Sequence, residues 1–549
     1  MRAEPAHAVT RRASAARPAT RIAHAWPALP AAAVAVLVLL RLGFDQGGYF
    51  PAAYTSAAAI AFIALGVLVV RPARERLSTH ALVALGALAA FACWSGLSRA
   101  WSVVPDVALL DMRRAMLYLA LFGLGLLAAD SGRNARVLIW SLLGVVVAIC
   151  GAGLLSRLQP DLVSTTVDPF VAVFYRLDHP LGYWNAFGAL ASLGAVLALG
   201  LAADPRGHVI LRAAAAGAAV MLVVTMYLSL SRGAWLALIV GLVVLVAIAP
   251  RRGALLVTLA IVGATATLGV LRVDGYAALV LNPKAGSGQA AQGDTFTREL
   301  IALIFVAVAA QAAVALVRVP GLLESQIAML RRIALVGVAI VVVVAAGVGY
   351  AAKGGEAEGG ATTAVHDTTD WLDRQWQDFL NPTSNASEGT GAARLISAKG
   401  ARSDHYRVAI DGFEARPLTG GGAGSFEVRY ARDRDVDVKI RDVHSLPIET
   451  LSELGAIGML LLVGFVGAVA TAARRTIGGK GVIRPAEAAA VTAAFAVWLA
   501  HASVDWDWEM PVLTGIPIVL CATLFARGRR RRSQGRRSRR RSLTPAVGS

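Results

Sequence analysis

Long apolar runs recur along the whole chain, each closed by a short polar or basic break. A helix crossing a bilayer needs about 20 mostly apolar residues. Fourteen segments approach or meet that length: 28–44, 52–70, 80–97, 115–129, 137–155, 184–203, 212–229, 233–249, 254–271, 299–317, 333–350, 446–470, 487–503 and 511–526. The fourth is short, which predicts a tilted or interfacial helix. The seventh and eighth form one apolar stretch broken by Ser231-Arg232-Gly233, too long for a single span, which predicts a tight helical hairpin. The pattern as a whole predicts an all-α integral membrane protein, a polytopic bundle of about 12–14 spans.

The breaks between runs are unequal. Three are long, 156–183, 272–298 and 351–445, and connections of that length are usually functional or disordered. In the largest, 353–363 is Gly-rich and 383–400 is rich in Ser, Gly and Thr. Residues 367–380 carry Trp371, Trp376 and Phe379, which predicts an amphipathic helix on the membrane surface. Ser403 is placed to cap a helix running to about Arg416, with Tyr406, Ile410 and Phe413 on one face. Pro417 stops that helix, and the glycines from Gly420 to Gly424 form a turn. The expected organisation is a basic tail over 1–27, a helical bundle over 28–350, a large extracytoplasmic loop carrying short helices over 351–445, spans over 446–526 and an Arg-rich tail over 527–549.

Composition agrees with the pattern: 56% of residues are hydrophobic and 16% charged, where soluble domains carry about 25% charged. The formal charge of +18 raises nucleic acid as a partner, but its location argues against one. Ten arginines fall between Arg527 and Arg541, and five more precede the first run. Two basic tails beside the first and last spans read as cytoplasmic anchors on anionic lipid. With both termini inside, Arg71, Arg74, Arg76, Arg251, Arg252, Arg331, Arg332, Arg474 and Arg475 also fall on the cytoplasmic side. Arg113 and Arg114 are the exception. Cys93, Cys150 and Cys521 lie in apolar runs and read as packing residues.

Candidate chemistry collects at the outer ends of the spans. His444 precedes the twelfth span, where the positive end of a helix favours a neutral, base-competent imidazole. A histidine merely packing at the interface fits that position equally. Arg232 is either a snorkelling anchor or, being outside against the positive-inside trend, a ligand for an anion, since its fork matches phosphate oxygens. Arg407 has a ready explanation as the partner of Asp411 or Glu414 on its own helix. Arg176 and Asn185, in a segment with Tyr183 and Trp184, are either part of an interfacial aromatic belt or a polar wall facing a headgroup or sugar. Glu449 suits a helix N-terminus, whereas Glu453, about two turns in, needs a partner; with Arg176 and Asn185 both are also candidate contacts to an acceptor or a headgroup. Asp505-Trp506-Asp507-Trp508-Glu509 reads as an acidic, aromatic surface turn, with a carbohydrate platform as the alternative. The sequence has no Walker loop, dinucleotide fingerprint, HExxH or metal-spaced acid pair.

Four stretches together resemble the O-antigen ligase family, the Wzy C-like superfamily. They are Leu181-Gly-Tyr-Trp-Asn185; Leu228-Ser-Leu-Ser231-Arg232-Gly-Ala-Trp235; Tyr406-Arg407 followed by Arg416-Pro417-Leu-Thr-Gly-Gly-Gly422-Ala-Gly424-Ser-Phe426; and His444-Ser-Leu-Pro-Ile-Glu449-Thr-Leu-Ser-Glu453-Leu-Gly455-Ala-Ile-Gly458. The fourth is the most specific. The resemblance implies a glycosyltransferase C-type architecture in the bacterial cytoplasmic membrane. It also implies transfer of a glycan from a polyprenyl diphosphate carrier to the hydroxyl of an acceptor glycan or lipid. No metal or other cofactor is implied. By that analogy Arg232 and Arg407 hold the diphosphate and His444 is the general base. The family often has asparagine after this histidine, where this chain has Ser445. A polysaccharide polymerase of the same superfamily shares the chemistry. A transporter or lipid-glycan flippase is the alternative from another class.

Overall fold

The computed structural model describes residues 28–69, 77–163, 175–281, 288–316, 373–381 and 400–526. The expected span at 333–350, both tails, Trp371 and the Gly- and Ser-rich loop segments lie outside the described residues, apart from Gly400. All regular structure among the described residues is helical.

The helices start where local chemistry lets them. Proline opens α2 (Pro51–Val69), α4 (Pro105–Ala128), α14 (Pro485–Ala502) and α15 (Pro511–Ala522), at the position where its missing N–H costs nothing. Serine side chains cap α3 (Thr79–Leu97), α5 (Gly132–Leu158) and α8 (Arg232–Ile248) by accepting a backbone N–H, the usual remedy for unpaired donors at a helix start. The remaining long helices are α1 (Ala28–Gly43), α6 (Trp184–Ala202), α7 (Val209–Leu228), α9 (Arg252–Asp274), α10 (Gln289–Leu316) and α13 (Leu446–Arg475). Among the described residues three shorter helices lie in the large loop: one over 373–380, inside the stretch expected to be amphipathic, then α11 (Arg402–Ala415) and α12 (Phe426–Asp433).

Among the described residues eight helices are long and apolar enough to cross a membrane, and α1, α8 and the last apolar helix, Pro511–Phe525, are shorter apolar helices. The molecule is a polytopic all-helical membrane protein. α6 sits at the centre, buried nearly all round, while α10 exposes most of its apolar surface, including Phe305 and Val306. Apolar residues on every side of a helix mean protein on every side or lipid on the outward one. The C-terminal helices pack into the same bundle as the earlier ones: α13 against α3, α14 against α6 and α8, and α15 against α4.

Two expectations need correction. The fourth span is not short: α4 runs 24 residues from Pro105. The charged residues that hid its first turns are paired, Arg114 with Asp111 at 3.0 Å and with Glu509 at 3.2 Å, so they enter the bundle as ion pairs. Nor does Ser403 cap the loop helix. α11 begins one residue earlier, and the Ser403 hydroxyl is buried without a hydrogen-bond partner.

α13 is broken at Gly455, which takes φ 65° and ψ −166°. The turn after α11 repairs the break. Gly421 and Gly422 donate to the carbonyls of Ser452 and Glu453 (2.9 and 2.8 Å), and Ala456 donates to Pro417 O at 2.8 Å. The approach is close: a Cβ on Gly455 would lie 2.3 Å from Leu418 O, and one on Gly420 2.3 Å from the Glu453 carbonyl carbon. Both have positive φ, which only glycine takes without cost. Glu453 finds its partners here, accepting the N–H groups of Gly424 and Phe426 at 2.8 and 2.9 Å.

Candidate active site

The connections 44–50, 98–104, 175–183, 229–231, 275–281, 400–445 and 503–510 meet at one end of the bundle, because successive long helices alternate in direction. His444 lies there, just before α13, with φ 63°. Its Nδ1–H donates to the carbonyl of Asp442 at 2.9 Å. That bond fixes the tautomer and leaves Nε2 as the acceptor. Tyr406 donates to the His444 carbonyl at 3.2 Å. The His405 and Trp506 rings flank the imidazole, at 5.3 and 6.4 Å between centroids. Burial, followed by Arg402, holds the His444 pKa below the ordinary histidine value against the opposing pull of Asp505.

Asp505 is the hub of the site. It is 1% exposed and accepts four hydrogen bonds: Arg402 (3.0 Å), Tyr183 (2.9 Å), Asn185 (2.7 Å) and the Trp506 N–H (3.0 Å). Burial alone would raise its pKa; Arg402, His444 and His501 overcome that and hold it below the usual carboxylate range. Asn185 passes the network on, its carbonyl oxygen accepting from Arg176 at 2.7 Å. Arg176 in turn donates to Ser229 O (2.8 Å) and Leu230 O (3.0 Å) and stacks on Trp184. It thereby fastens the turn from which α8 starts at Arg232. Beside Arg232, Gly233 packs on His501, whose Nδ1 pairs with Asp507 at 2.8 Å.

The residues singled out in the sequence therefore divide. His444, Arg176, Asn185 and the turn bearing Arg232 join one network through Asp505. Arg407 goes elsewhere. Its guanidinium pairs with Asp404 (2.6 Å), Asp435 (2.8 Å) and Asp411 (3.5 Å), and its side chain is 40% exposed. Five residues apart on a helix is about 140° of rotation, so Arg402 faces Asp505 while Arg407 faces the rim. Arg402 was passed over in the sequence, and the 505–509 segment, expected as a surface turn, is instead buried at Asp505, Asp507, Trp508 and Glu509. The signal available was the excess of acids and aromatics in a connection this short.

Glu449 and Glu453 join a second cluster nearby. With Asp111, Asp442, Glu509, Arg114 and Arg441 they line one small polar cavity. Oxygens of Asp442, Glu449 and Glu509 lie within 4.8 Å of one another. Two guanidinium groups share the cavity, so we read it as an ion-paired cluster and not as a metal centre. Burial raises the Asp442 pKa to about 6 despite Arg114 and Arg441. Glu449 accepts the Val443 N–H at 2.8 Å, pinning the strand of chain that carries His444.

The described residues form a polytopic helical membrane protein with a buried histidine–arginine–aspartate network at one end of its bundle. The model of the O-antigen ligase family, Wzy_C, matches residues 294–463, a stretch that holds Arg402, His444, Glu453 and the broken helix. No match to a curated protein was found. The family suggests glycan transfer of the ligase or polymerase type.

Proposed function

We propose that this protein transfers a glycan from a polyprenyl diphosphate carrier to an acceptor hydroxyl at the extracytoplasmic face of the cytoplasmic membrane. The observation that carries the reading is His444 itself: Nδ1 committed to the Asp442 carbonyl, Nε2 left to accept, and the Arg402 cation close enough to depress its pKa. A neutral imidazole with a free Nε2 is equipped to take a proton from an alcohol.

In this reading the acceptor hydroxyl gives its proton to His444 Nε2 as its oxygen bonds to the anomeric carbon. The bond from that carbon to the phosphate oxygen breaks, and its electron pair leaves with the lipid diphosphate. Attack from the opposite side inverts the anomeric centre. Arg402 and Arg232 stabilise the charge that grows on the leaving group. Arg402 thus takes the role that the family resemblance alone gave to Arg407. Two fixed guanidinium groups supply the positive charge, so the step needs no metal ion. Arg251, Arg252, Arg474 and Arg475 lie at the other end of the bundle, which makes that end cytoplasmic under the positive-inside rule. Both tails then lie inside, and the segment around 351–445 forms an extracytoplasmic domain between two sets of spans.

A broken helix is also a mark of transporters, where it exposes backbone to a substrate at mid-bilayer. Here the groups freed at Gly455 are taken up by the glycine turn, which favours a rigid scaffold over a transport path. The deciding experiment is transfer of the lipid-linked glycan by His444→Ala and Arg402→Ala at matched expression. Full transfer by both variants would refute the mechanism.

A further inference from the structure

His405 sits next to the base and has no task in the mechanism above. It is 4% exposed, and neither ring nitrogen has a hydrogen-bond partner. Its ring meets His444 at 5.3 Å between centroids and the edge of Tyr430 at 5.2 Å. A neutral imidazole carries one donor and one acceptor, and burying both unpaired is unfavourable. Phenylalanine would fill the same space without that cost. Packing alone therefore does not account for an imidazole here.

We infer that His405 is a positioning residue for His444: a neutral imidazole, wedged between Tyr430 and the base, that steadies the His444 ring and gives a polar neighbour to the positive charge His444 acquires with the acceptor's proton. The inference rests on His444 being the base. The arrangement requires that His405 itself stay uncharged. Burial, followed by the His444 and Arg402 charges, holds its pKa down at about 3 against the opposing Asp404, so it does not compete for the proton. The charged and titratable groups facing the pair are Arg402, Asp404 and Tyr406 on α11, Tyr430 on α12, Asp505 beyond α14 and the chain at Asp442.

The test compares His405→Phe with His405→Gln in the full-length protein in lipid nanodiscs. Carbethoxylation of His444 by diethyl pyrocarbonate, read by peptide mass across pH, reports the neutral fraction of the base without any substrate. Turnover is followed as polyprenyl diphosphate released from lipid-linked glycan extracted from the source cells. Loss of a polar neighbour destabilises the imidazolium and lowers the His444 pKa. In His405→Phe the modification curve should therefore move to lower pH. The same variant should lose about tenfold in kcat with KM within about twofold, and melt no lower than the parent. His405→Gln should recover most of the loss. An unmoved modification curve with parental kcat in His405→Phe overturns the inference. Should that variant fail to fold, His405→Gln against His405→Met gives the same polar-versus-apolar contrast. His444→Ala is run in parallel. If it transfers glycan normally, the proposed base and this inference fall together; if it is inactive while His405→Phe matches the parent, only this inference falls.

Discussion

The two ends of the bundle solve the same problem differently. Both must close a set of helices with polar residues at a membrane boundary. At the end with the short turns, Arg484 bridges Asp204 (2.7 Å) and Glu487 (3.1 Å), and Arg136 reaches Glu487 at 2.6 Å. Both buried acids there, Asp204 and Glu487, are met by arginines, and Arg484, Pro485 and Glu487 form an ordinary helix start with a capping box. At the His444 end, residues from seven connections converge, and five carboxylates share one cavity with two guanidinium groups. Buried polar atoms without partners also gather there, on Trp101, Arg114, Trp235, Ser403, His405 and His501, against the Nε of Arg484 at the other end. A structure tolerates such atoms where function uses them. The contrast teaches that charge by itself does not mark a site; unsatisfied, sequence-distant charge does.

Breaking the contrast at its strongest point means His444→Ala, which should cut transfer by about 10²–10⁴-fold and leave the melting temperature near that of the parent. A comparable loss of melting temperature would assign His444 to the scaffold instead. Next in size is Gly455→Ala. The added Cβ meets the Leu418 carbonyl, and positive φ adds strain of order 1–3 kcal/mol, so the yield of folded protein in detergent should fall sharply. Third, Asp505→Asn should lower turnover by about tenfold to a hundredfold, since Arg402, Tyr183 and Asn185 lose their anchor. Asp505 raises the His444 pKa, so its removal lowers that pKa and shifts the acid limb of the rate profile to lower pH. A shift to higher pH would contradict this wiring.

At the opposite end, Glu487→Gln should destabilise by about 3 kcal/mol, the range for breaking a buried pair. Transfer per folded molecule should not change, which a thermal melt beside a transfer assay separates. The smallest effect belongs to Arg407→Ala. Its pairs are partly exposed and screened, so about 1 kcal/mol or less is expected, with transfer within about twofold. A large loss of transfer there would return Arg407 to the diphosphate. Acid stability sharpens the comparison further. His405 is held neutral down to about pH 3, whereas the unfolded chain takes up that proton near the ordinary histidine value of 6.5. Stability contributed by keeping it neutral is therefore lost as pH falls between those values, by up to about 1.4 kcal/mol per unit. Denaturation of His405→Phe should be correspondingly less sensitive to acid.

The sequence by itself determined the class of molecule. Bilayer crossing is written in local composition, so the apolar runs, the helix break near Ser231 and the helix after His444 were legible from stretches of about 20 residues; the expected tight hairpin was not, since α7 and α8 pack on α6 rather than on each other. His444 was legible as a candidate too, because it stands at a helix start within a specific motif. Tertiary structure alone decided which arginine meets it. Arg402 and Arg407 share one helix and one chemistry, and only the position of Asp505, about 100 residues later, selects between them. The length of α4 and the break at Gly455 were hidden for the same reason: the partners that make them stable, Glu509 for Arg114 and the glycine turn for the freed backbone, come from far along the chain. Hydrophobic burial is additive and local enough to read along a sequence. Pairing of buried charge depends on where three or four distant segments meet, and that is fixed only when they pack.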